Sequence, residues 1–458
     1  MSGAMVENAS PLRVAIVGSG PAGMYAAGHL LESPGGTFVG KGLQKIIKRS
    51  VEVDVIERLP TPWGLIRSGV APDHPDKKRM AAVYEGIARR EGFRFIGNIE
   101  LGRDVSTAEL SQWYDAVIYA FGANGERQLG VVGENLQGSS SARKFVGWYN
   151  GHPDFAGLDF DLNTERAVLV GNGNVAMDVA RILFSEPSKL HATDIASNAL
   201  EALANSQIKE VVILGRRGPE HAAFNFPELA ELGELKDTAI VVEGADLSCI
   251  TPQGNHEAHI KLEALASLCR TKTQGSRRIV FRFNAAPVAV DGAGKVERIR
   301  IADKQNPKQE QVIDTGLLLA AIGYCGQAID GLPFDNERGL VPSCNARIMD
   351  NDRPVKGAYA TGWIRRGPKG IIGTNKKCAR DCVMALMEDA NAGRLPSAGT
   401  LSSAEVLAVI QSRVGSVVQY DGWRQIDKKE RQAGKLQERP RVKMTTVDSM
   451  LKCAQIGI

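Results

Sequence analysis

Two short apolar runs in the chain each lead into a glycine-rich loop and then into a helical pattern of small and apolar residues. The first run is LRVAIV, followed by GSGPAG and MYAAGHLL, and the second is RAVLV, followed by GNGNVA and MDVARILF. An unbroken apolar run of this length is typical of a parallel strand that is covered on both faces. Small residues behind a glycine loop favour a helix packed closely on such a strand. The pattern therefore predicts two strand–loop–helix units.

The first loop has the spacing Gly18-x-Gly20-x-x-Gly23 and predicts a dinucleotide site. Gly18 permits a tight turn, Gly20 lets the backbone approach a pyrophosphate, and Gly23 lets helix and strand pack closely. The phosphates would lie at the helix amino terminus, where unpaired N–H groups and the helix dipole favour anions. SVEVDVIER predicts the second strand, and Glu57 near its end is placed to bind ribose hydroxyls. This acid comes later than the usual distance of about 20 residues, because residues 34–50 resemble an insertion.

The second loop, Gly171-x-Gly173-x-x-Ala176, differs in the residues at the end of its second strand. IKEVVILGRRG ends in Arg216 and Arg217 where an acid would otherwise stand. A carboxylate there would accept a hydrogen bond from a free 2′-hydroxyl, whereas a guanidinium pair suits a 2′-phosphate. The alternative is two solvated arginines at a strand end. The first loop is thus expected to bind FAD and the second NADP.

Two unlike dinucleotides in one chain indicate electron transfer. A nicotinamide passes two electrons together as a hydride, and a flavin can accept the pair and release the electrons singly. The chain would then convert two-electron into one-electron chemistry, or reduce a two-electron acceptor.

Composition narrows the class of protein. At 458 residues with 43% apolar residues, two domains are expected. A net charge of +4 argues against a dedicated nucleic-acid binder. No apolar stretch approaches the roughly 20 residues of a membrane span, and the first residues resemble no signal peptide. We therefore expect a cytoplasmic protein without nucleic-acid or membrane partners.

The seven cysteines form no C-x-x-C pair and no ligand set for zinc or an iron–sulfur cluster, so no metal is expected. Cys378 and Cys382, four residues apart on a predicted helix, are interpreted as small buried residues. His256 and His259 form H-x-x-H without a partner carboxylate–histidine set, and we interpret them as an exposed loop. Nucleophile-elbow and P-loop motifs are absent from the sequence.

Several further stretches, together with both loops, resemble the adrenodoxin-reductase type of ferredoxin–NADP reductase in order and spacing. They are VGSGPAG, TPWGLIRSGVAPDHP, SARKFVGWYNG, GNGNVAMDVARIL, LGRRGPEHAAF, AIGY, ATGWIRRGPKGIIGTN and RPRVKMTTVDSML. The resemblance runs through nearly the whole chain. ATGW stands where many other two-dinucleotide flavoenzymes have Gly-Asp, which separates this chain from the thioredoxin-reductase and glutathione-reductase lines.

The resemblance implies an α/β fold with two Rossmann-like dinucleotide-binding domains, as in glutathione-reductase-like flavoproteins. The NADP-binding domain, residues 124–324, would be inserted into an FAD-binding domain formed by residues 12–123 and 325–458. YDAVIYAFGA at 114–123 and TGLLLAAIGY at 315–324 resemble the two crossings between the domains.

The resemblance also implies a set of site residues. Trp63, Gly64 and Leu65 would form the exit loop of the second strand near the FAD. The expected FAD contacts are Gly18, Gly20, Pro21, Ala22, Gly23, Glu57, Leu65, Gly362, Trp363, Gly370, Ile371 and Ile372. The expected NADP contacts are Gly171, Asn172, Gly173, Asn174, Val175, Ala176, Arg216, Arg217, Glu228 and Gly370. His74 and Glu228 would lie near the isoalloxazine and nicotinamide, with a role in positioning or proton management.

The expected function is FAD-dependent electron transfer from NADPH to a one-electron carrier. Because the chain has no iron–sulfur ligands, the acceptor would be a ferredoxin or flavodoxin. Such carriers are typically acidic, and the candidate docking cations are Arg270, Lys272, Arg277 and Arg278, with Lys376 and Lys377 nearer the FAD stretch. Two alternatives stay open: a reductase subunit of a larger flavoprotein complex, and a flavin- and NADP-binding sensor or scaffold. The sequence leaves the oligomeric state open and is compatible with a monomer.

Overall fold

The computed structural model describes most of the chain. The described residues are 10–31, 50–249, 256–303, 306–397, 399 and 401–455. Nearly all of the expected insertion at 34–50 lies outside them, as do the first nine residues, so the expectations about both stay predictions.

Strands and helices alternate along much of the described chain. The strands are β1 Leu12–Val17, β2 Val51–Glu57, β3 Phe93–Gly97, β4 Ala116–Tyr119, β5 Gly125–Glu126, β6 Ser139–Ser141, β7 Arg166–Val170, β8 Glu210–Leu214, β9 Thr238–Glu243, β10 Arg277–Arg282, β11 Ala285–Asp291, β12 Arg298–Asp303, β13 Asn306–Asp314, β14 Leu317–Ala320, β15 Tyr324–Cys325, β16 Ser343–Cys344, β17 Arg347–Asp350 and β18 Arg353–Ala360. The helices are α1 Pro21–Leu30, α2 Leu65–Ser68, α3 Pro75–Lys78, α4 Met80–Ala88, α5 Thr107–Trp113, α6 Ala142–Tyr149, α7 Asn174–Phe184, α8 Pro187–His191, α9 Ser197–Ala204, α10 Phe226–Leu232, α11 His256–Thr271, α12 Trp363–Arg366, α13 Ile372–Asn391, α14 Ser403–Arg413, α15 Tyr420–Leu436 and α16 Val447–Gln455.

The first sheet has seven strands in the order β16-β17-β18-β4-β1-β2-β3. β18, β4, β1, β2 and β3 run parallel, and β17 and β16 add an antiparallel edge. All six residues of β1 are buried, as its unbroken apolar run predicts. Helices α1 and α13 pack against each other on this sheet and share one apolar core with it.

The second sheet is wholly parallel, with the order β6-β14-β7-β8-β10-β9. Helix α7, which follows β7, presents buried apolar residues to this sheet. A three-stranded antiparallel sheet, β11-β12-β13, shares a further apolar core with the strands of the second sheet. Both predicted strand–loop–helix units, and the α/β class, are therefore confirmed.

A short two-stranded ribbon joins the two sheets. β5 pairs antiparallel with β15, opposing Gly125 to Cys325 and Glu126 to Tyr324. The chain leaves the first sheet after β4 and returns to it after β14, so the second sheet is built from an internal segment. The expected domain boundaries after residues 123 and 324 fall at this ribbon.

Helix α11 corrects one sequence expectation. His256 and His259 lie on its first turns and not in a loop, although both are exposed as expected. Nε2 of His259 lies 3.2 Å from Oε1 of Glu263, one turn along the same helix. Cys378 and Cys382 are buried on α13, as interpreted. No helix in the described ranges is long and apolar enough to cross a membrane.

We call the part of the molecule that contains the first sheet the first half, and the part that contains the second sheet the second half. The carboxyl-terminal segment connects these two halves through a buried lysine. Nζ of Lys443 donates to the carbonyl oxygens of Arg67 at 3.0 Å and Asn150 at 3.1 Å, and lies 3.0 Å from a carboxylate oxygen of Asp194. Burial lowers the pKa of Lys443, with Asp194 opposing it. Burial would raise the pKa of Asp194, but the nearby lysines outweigh it and hold this pKa below its usual value. This ion pair therefore crosses the domain interface.

Glu430 anchors the same segment to the first half. Its carboxylate accepts hydrogen bonds from Arg67 at 2.5 and 2.9 Å, from Arg441 at 3.0 Å and from the backbone N–H of Met444 at 2.8 Å. The Glu430 side chain is 0% exposed. Burial opposes its ionisation, but Arg67 outweighs burial and lowers the pKa of Glu430.

We predict that Glu430→Gln destabilises the protein by about 3–5 kcal/mol, because it leaves the Arg67 guanidinium without its buried counter-charge and Arg441 with Asp427 alone. Thermal and urea unfolding measure the effect. Asp448→Asn is the matched control: it removes a carboxylate from an ion pair in which both side chains are 74% exposed, and should cost less than about 1 kcal/mol. Equal effects of the two variants would contradict an anchoring role for Glu430.

Candidate functional site

The first glycine loop adopts a backbone that only glycine allows. Gly18 has φ +103°, and a Cβ there would lie 2.8 Å from the carbonyl oxygen of Ala120. A Cβ on Gly23 would overlap the carbonyl oxygen of Gly18. Around Gly20, which precedes α1, a Cβ would meet no atom within 4 Å. The loop is therefore tightly packed at its ends and open at its centre, where a ligand phosphate could approach.

Glu57 is held beside this loop by its own hydrogen bonds. Its Oε2 accepts from the backbone N–H of Ser19 at 3.0 Å and from the Ser19 hydroxyl at 2.6 Å. Its Oε1 accepts from the backbone N–H of Leu59 at 3.1 Å. Oε1 keeps a further lone pair, so the carboxylate can accept a hydrogen bond from a ligand hydroxyl.

Two segments that are distant in the sequence pack against the first loop, each through a glycine. A Cβ on Gly64, which has φ +49°, would lie 2.9 Å from Cα of Gly20. One on Gly362, with φ +75°, would lie 2.5 Å from Cβ of Ala22. The structure thus brings the expected exit loop and the ATGW stretch to the first loop. The indole N–H groups of Trp63 and Trp363 are buried without a partner among the described residues.

The stretch from Gly370 to Ile372 forms the start of the 20-residue helix α13. Gly370 has φ +84°, and Ile371 is 65% exposed. The N–H of Ile371 donates to Oγ1 of Thr374 at 3.2 Å. Gly370, Ile371 and Ile372 therefore lie at a helix amino terminus, a position that favours an electron-rich ligand group.

The second glycine loop repeats the geometry of the first. Gly171 has φ +114°, its N–H donates to the carbonyl of Leu214 at 2.9 Å, and a Cβ there would overlap the carbonyl oxygen of Ala321. Gly173 precedes α7. Asn172 and Asn174 link the loop to the segment after β8, accepting from the N–H groups of residues 223 at 3.4 Å and 225 at 2.7 Å. Val175 is half-buried, and Ala176 is buried against the sheet.

Arg216 and Arg217 follow β8, the neighbour of β7. They therefore lie at the carboxyl ends of the strands, the same end of the sheet as Gly171. Both are exposed, and within the described part of the chain neither side chain makes a hydrogen bond or an ion pair. Their guanidinium groups are free to bind an anionic group at this edge.

Charged side chains from both halves meet between the two loops. We call this set the interdomain charge cluster; its members are Asp73, His74, Lys77, Asp178, Arg181, Glu228 and Glu231. The first three come from the segment around α3, two from α7 and two from α10.

Arg181 is the central cation of the interdomain charge cluster. It donates to Asp73 at 2.7 and 2.9 Å and to Oε2 of Glu231 at 2.7 Å, and lies 2.9 Å from Oδ1 of Asp178. Its side chain is 7% exposed. Burial opposes ionisation of Asp73, but Arg181 outweighs it and the pKa of Asp73 is lowered. For Asp178, burial prevails over Arg181 and the pKa is raised.

His74 contacts Glu231, a residue that the sequence analysis did not name. Nε2 of His74 lies 2.8 Å from Oε2 of Glu231. Oε1 of Glu228 accepts from Lys77 at 3.2 Å, while its Oε2 is buried and has no hydrogen-bond partner among the described residues. Sequence reasoning missed Glu231 and Arg181. The sequence contained a signal for Glu231, because it lies three residues after Glu228 and the two therefore share one face of α10.

Comparison with known proteins shows the family. A family model described as pyridine nucleotide-disulphide oxidoreductase matches residues 12–215. The chain is 42% identical over 459 residues to NADPH-ferredoxin reductase FprA of Mycobacterium leprae, covering 96% of this chain and 97% of that protein. The chain belongs to the adrenodoxin-reductase type of ferredoxin–NADP reductases.

Two further comparisons agree with this family. The mitochondrial NADPH:adrenodoxin oxidoreductase of Arabidopsis thaliana is 38% identical over 477 residues, with 97% of this chain and 95% of that protein covered. A solved structure of Mycobacterium tuberculosis FprA in complex with NADPH matches with a TM-score of 0.89 at 40% identity, over 97% of this chain and 99% of that one. The expected fold class and oxidoreductase class are thereby confirmed, while the roles of single residues stay predictions.

His74, Asp178 and Glu231 also offer ligand atoms that lie within 4.8 Å of one another, the spacing of a metal site. In this reductase the guanidinium of Arg181 already contacts both carboxylates. The positive charge that such a group of acids needs is therefore supplied by a side chain.

The expected docking cations lie elsewhere in the second half. Arg277 and Arg278 are the first residues of β10, and Arg278 is in register with Glu210, the first residue of β8. Both therefore lie at the opposite end of the sheet from Gly171. Arg278 forms a hydrogen-bonded ion pair with Glu210, and Arg277 donates a hydrogen bond to the carbonyl oxygen of Phe184 at 2.9 Å. Lys272 donates to the carbonyl oxygen of Leu235 at 2.9 Å, and Arg270 ends α11. These four residues therefore do not form the expected basic face beside the flavin stretch.

We predict that Arg181→Met destabilises this reductase by about 3–5 kcal/mol at neutral pH, because three carboxylates lose a buried cation. The lowered pKa of Asp73 stabilises the fold above the unfolded-state value of about 4, and this contribution is lost as pH falls through the folded-state value. The gap in melting temperature between wild type and variant should therefore narrow below about pH 4. Arg89→Met, at a side chain 67% exposed, is the control and should show a small gap at every pH. A pH-independent gap for Arg181→Met would contradict the prediction.

Proposed function

We propose that this reductase passes electrons from NADPH through bound FAD to a one-electron carrier protein of the ferredoxin type. The observation that carries the proposal is the unlike chemistry beside the two glycine loops. A fixed carboxylate, Glu57, stands beside the first loop, and two free arginines, Arg216 and Arg217, stand beside the second. The relatives named as NADPH-ferredoxin and NADPH:adrenodoxin reductases support the same assignment.

FAD fits the first site. The open centre of the loop at Gly20 leaves room for a pyrophosphate, and Oε1 of Glu57 has a free lone pair for a ribose hydroxyl. The buried indole N–H of Trp363 has no acceptor among the described residues. The residues that would hold it are Gly18, Gly20, Pro21, Ala22, Gly23, Glu57, Leu65, Gly362, Trp363, Gly370, Ile371 and Ile372. When bound, FAD supplies the exchange between the two-electron chemistry of a nicotinamide and single-electron transfer.

NADP fits the second site. Gly171 to Ala176 would bind the pyrophosphate, and Arg216 and Arg217 the 2′-phosphate. Within the described ranges no donor reaches the buried Oε2 of Glu228, and the carboxamide N–H of a nicotinamide would be a suitable donor. Gly370, at the amino terminus of α13, would line the same pocket from the first half.

The chain's own residues position the reactants and hold a proton. His74 and Glu231 share a hydrogen bond of 2.8 Å that spans the two halves. Tyr324 stacks on Trp363, the last residue of the ATGW stretch, with ring centroids 5.6 Å apart. A planar ligand that packs against this ring pair would be shielded from water on that side. In this proposal no side chain acts as a covalent nucleophile.

A basic surface beside the flavin stretch would receive the carrier. Residues 365–380 contain no acid; their cations are Arg365, Arg366, Lys369, Lys376, Lys377 and Arg380. Lys377 is exposed in the second turn of α13, close in sequence to Gly370. This surface replaces the four cations first expected, and it favours an acidic ferredoxin or flavodoxin. The six cysteines whose side chains the structure describes are unpaired, which is compatible with the proposed cytoplasmic location.

We predict that the protein oxidises NADPH with ferricyanide as acceptor, and that Arg216→Ala/Arg217→Ala raises KM for NADPH by roughly 100-fold. Each hydrogen bond to a charged group contributes about 1.5–3 kcal/mol, and two such groups are removed. KM for NADH should hardly change, because NADH lacks the 2′-phosphate. Arg270→Ala, at an exposed arginine on α11, is the control. Equal losses with NADPH and NADH would mean that the arginines are structural, and absence of NADPH oxidation would overturn the proposed function.

A second prediction concerns docking. Cytochrome c reduction through ferredoxin should fall steeply as salt rises, because the Debye length is about 10 Å at 0.1 M, while ferricyanide reduction changes little. At low salt, Lys377→Glu should slow only the ferredoxin-dependent reaction. Arg270→Glu makes the same charge reversal on α11 and should have little effect. If Arg270→Glu is the more damaging variant, docking uses the far end of the second sheet instead.

A further inference from the structure

Lys77 reaches from one half of the molecule to the other inside the interdomain charge cluster. It lies on the short helix α3, and its Nζ is 3.3 Å from Nδ1 of His74 and 3.2 Å from Oε1 of Glu228. The Lys77 side chain is 40% exposed, whereas the His74 side chain is only 9% exposed. Lys77 therefore joins two site residues that sequence reasoning treated as independent.

The contact with Lys77 decides which nitrogen of His74 carries a hydrogen. An ammonium group can only donate, so Nδ1 of His74, facing Lys77, must accept. A neutral imidazole then carries its hydrogen on Nε2, which donates to the Glu231 carboxylate at 2.8 Å. Both contacts are satisfied together only by this tautomer.

Three acids stand around the imidazole of His74. Glu231 and Asp178 offer carboxylate oxygens within 4.8 Å of one of its ring nitrogens, and Asp73 precedes it in the chain. Arg181 contacts all three acids, and Lys77 is the cation that faces the ring nitrogen itself.

The same ammonium also orients Glu228. Because Lys77 occupies Oε1, the second oxygen is left as the free acceptor in a residue that is 8% exposed. A carboxylate with one oxygen held and the other free is a directed acceptor for an amide N–H.

We propose that Lys77 is a positioning residue of the nicotinamide end of the site, which keeps His74 in its neutral Nε2–H tautomer and turns Glu228 Oε2 toward the nicotinamide amide. The inference rests on the proposed function for the identity of the ligand. The tautomer of His74 does not depend on a bound nicotinamide nucleotide, and it can be measured in the protein without one.

The deciding measurement is nitrogen-15 NMR of the histidine ring nitrogens in the FAD-loaded protein at neutral pH, without nicotinamide nucleotide. The chain has seven histidines, and a His74→Gln sample assigns the signal. In wild type, Nδ1 of His74 should give the signal of an unprotonated nitrogen. In Lys77→Met it should move toward that of a protonated nitrogen, and in Lys77→Arg it should stay as in wild type. A protonated Nδ1 in wild type, or an unchanged signal in Lys77→Met, would overturn the inference.

Arg79→Met is the matched control, because it removes a cation two residues away whose side chain is 79% exposed and pairs only with Asp76 among the described residues. Its His74 signal should equal that of wild type; a shift like that of Lys77→Met would assign the effect to net charge and overturn the inference. The limiting rate of flavin reduction by NADPH should fall about 10-fold in Lys77→Met and recover in Lys77→Arg. Binding of adenosine 2′,5′-bisphosphate, which lacks the nicotinamide, should be equal in all variants. If NADPH fails to reduce wild type, the proposed function fails, while the NMR result still decides the role of Lys77.

Discussion

The buried guanidinium of Arg181 is the interaction on which the geometry of the site depends. It holds one acid from the first half, Asp73, and two from the second, Asp178 and Glu231. Acids this close would repel one another without a cation between them. Because Arg181 satisfies them together, the loop that carries His74 is held against α10. The distance between the two dinucleotide sites follows from this contact.

Two further connections between the halves support the contacts of Arg181. The second sheet is connected to the first by two strands that pair as a ribbon, and the segment from Glu430 to Lys443 binds both halves from the other side. Buried ion pairs of this kind contribute little net stability but impose one arrangement, since breaking either partner is costly. The two glycine loops are thus held in one relative orientation.

Local patterns predicted much of this structure, and long-range contacts account for the features they missed. The glycine loops, the buried strands and Glu57 are set by short sequence motifs with a direct physical reason. The contact between His74 and Glu231 could not be predicted in this way, because the two residues are 157 positions apart in the sequence and no local motif links them. Arg277 and Arg278 were misplaced because charge alone does not tell which end of a parallel strand a residue occupies. Helix α11 was missed because polar residues at its start resemble a loop.

The strand order of the first sheet has a consequence for how the chain is made. β4 lies between β1 and β18, yet β18 is synthesised only after the whole second sheet. While the ribosome makes the intervening segment, the nascent first sheet presents β4 as an open edge, the kind of surface that pairs with other chains. The inserted half can complete its own sheet in the meantime, because all its strands come from consecutive sequence. The inner half of this reductase therefore matures before the outer half that encloses it in the sequence, and only the arrival of β18 closes the exposed edge.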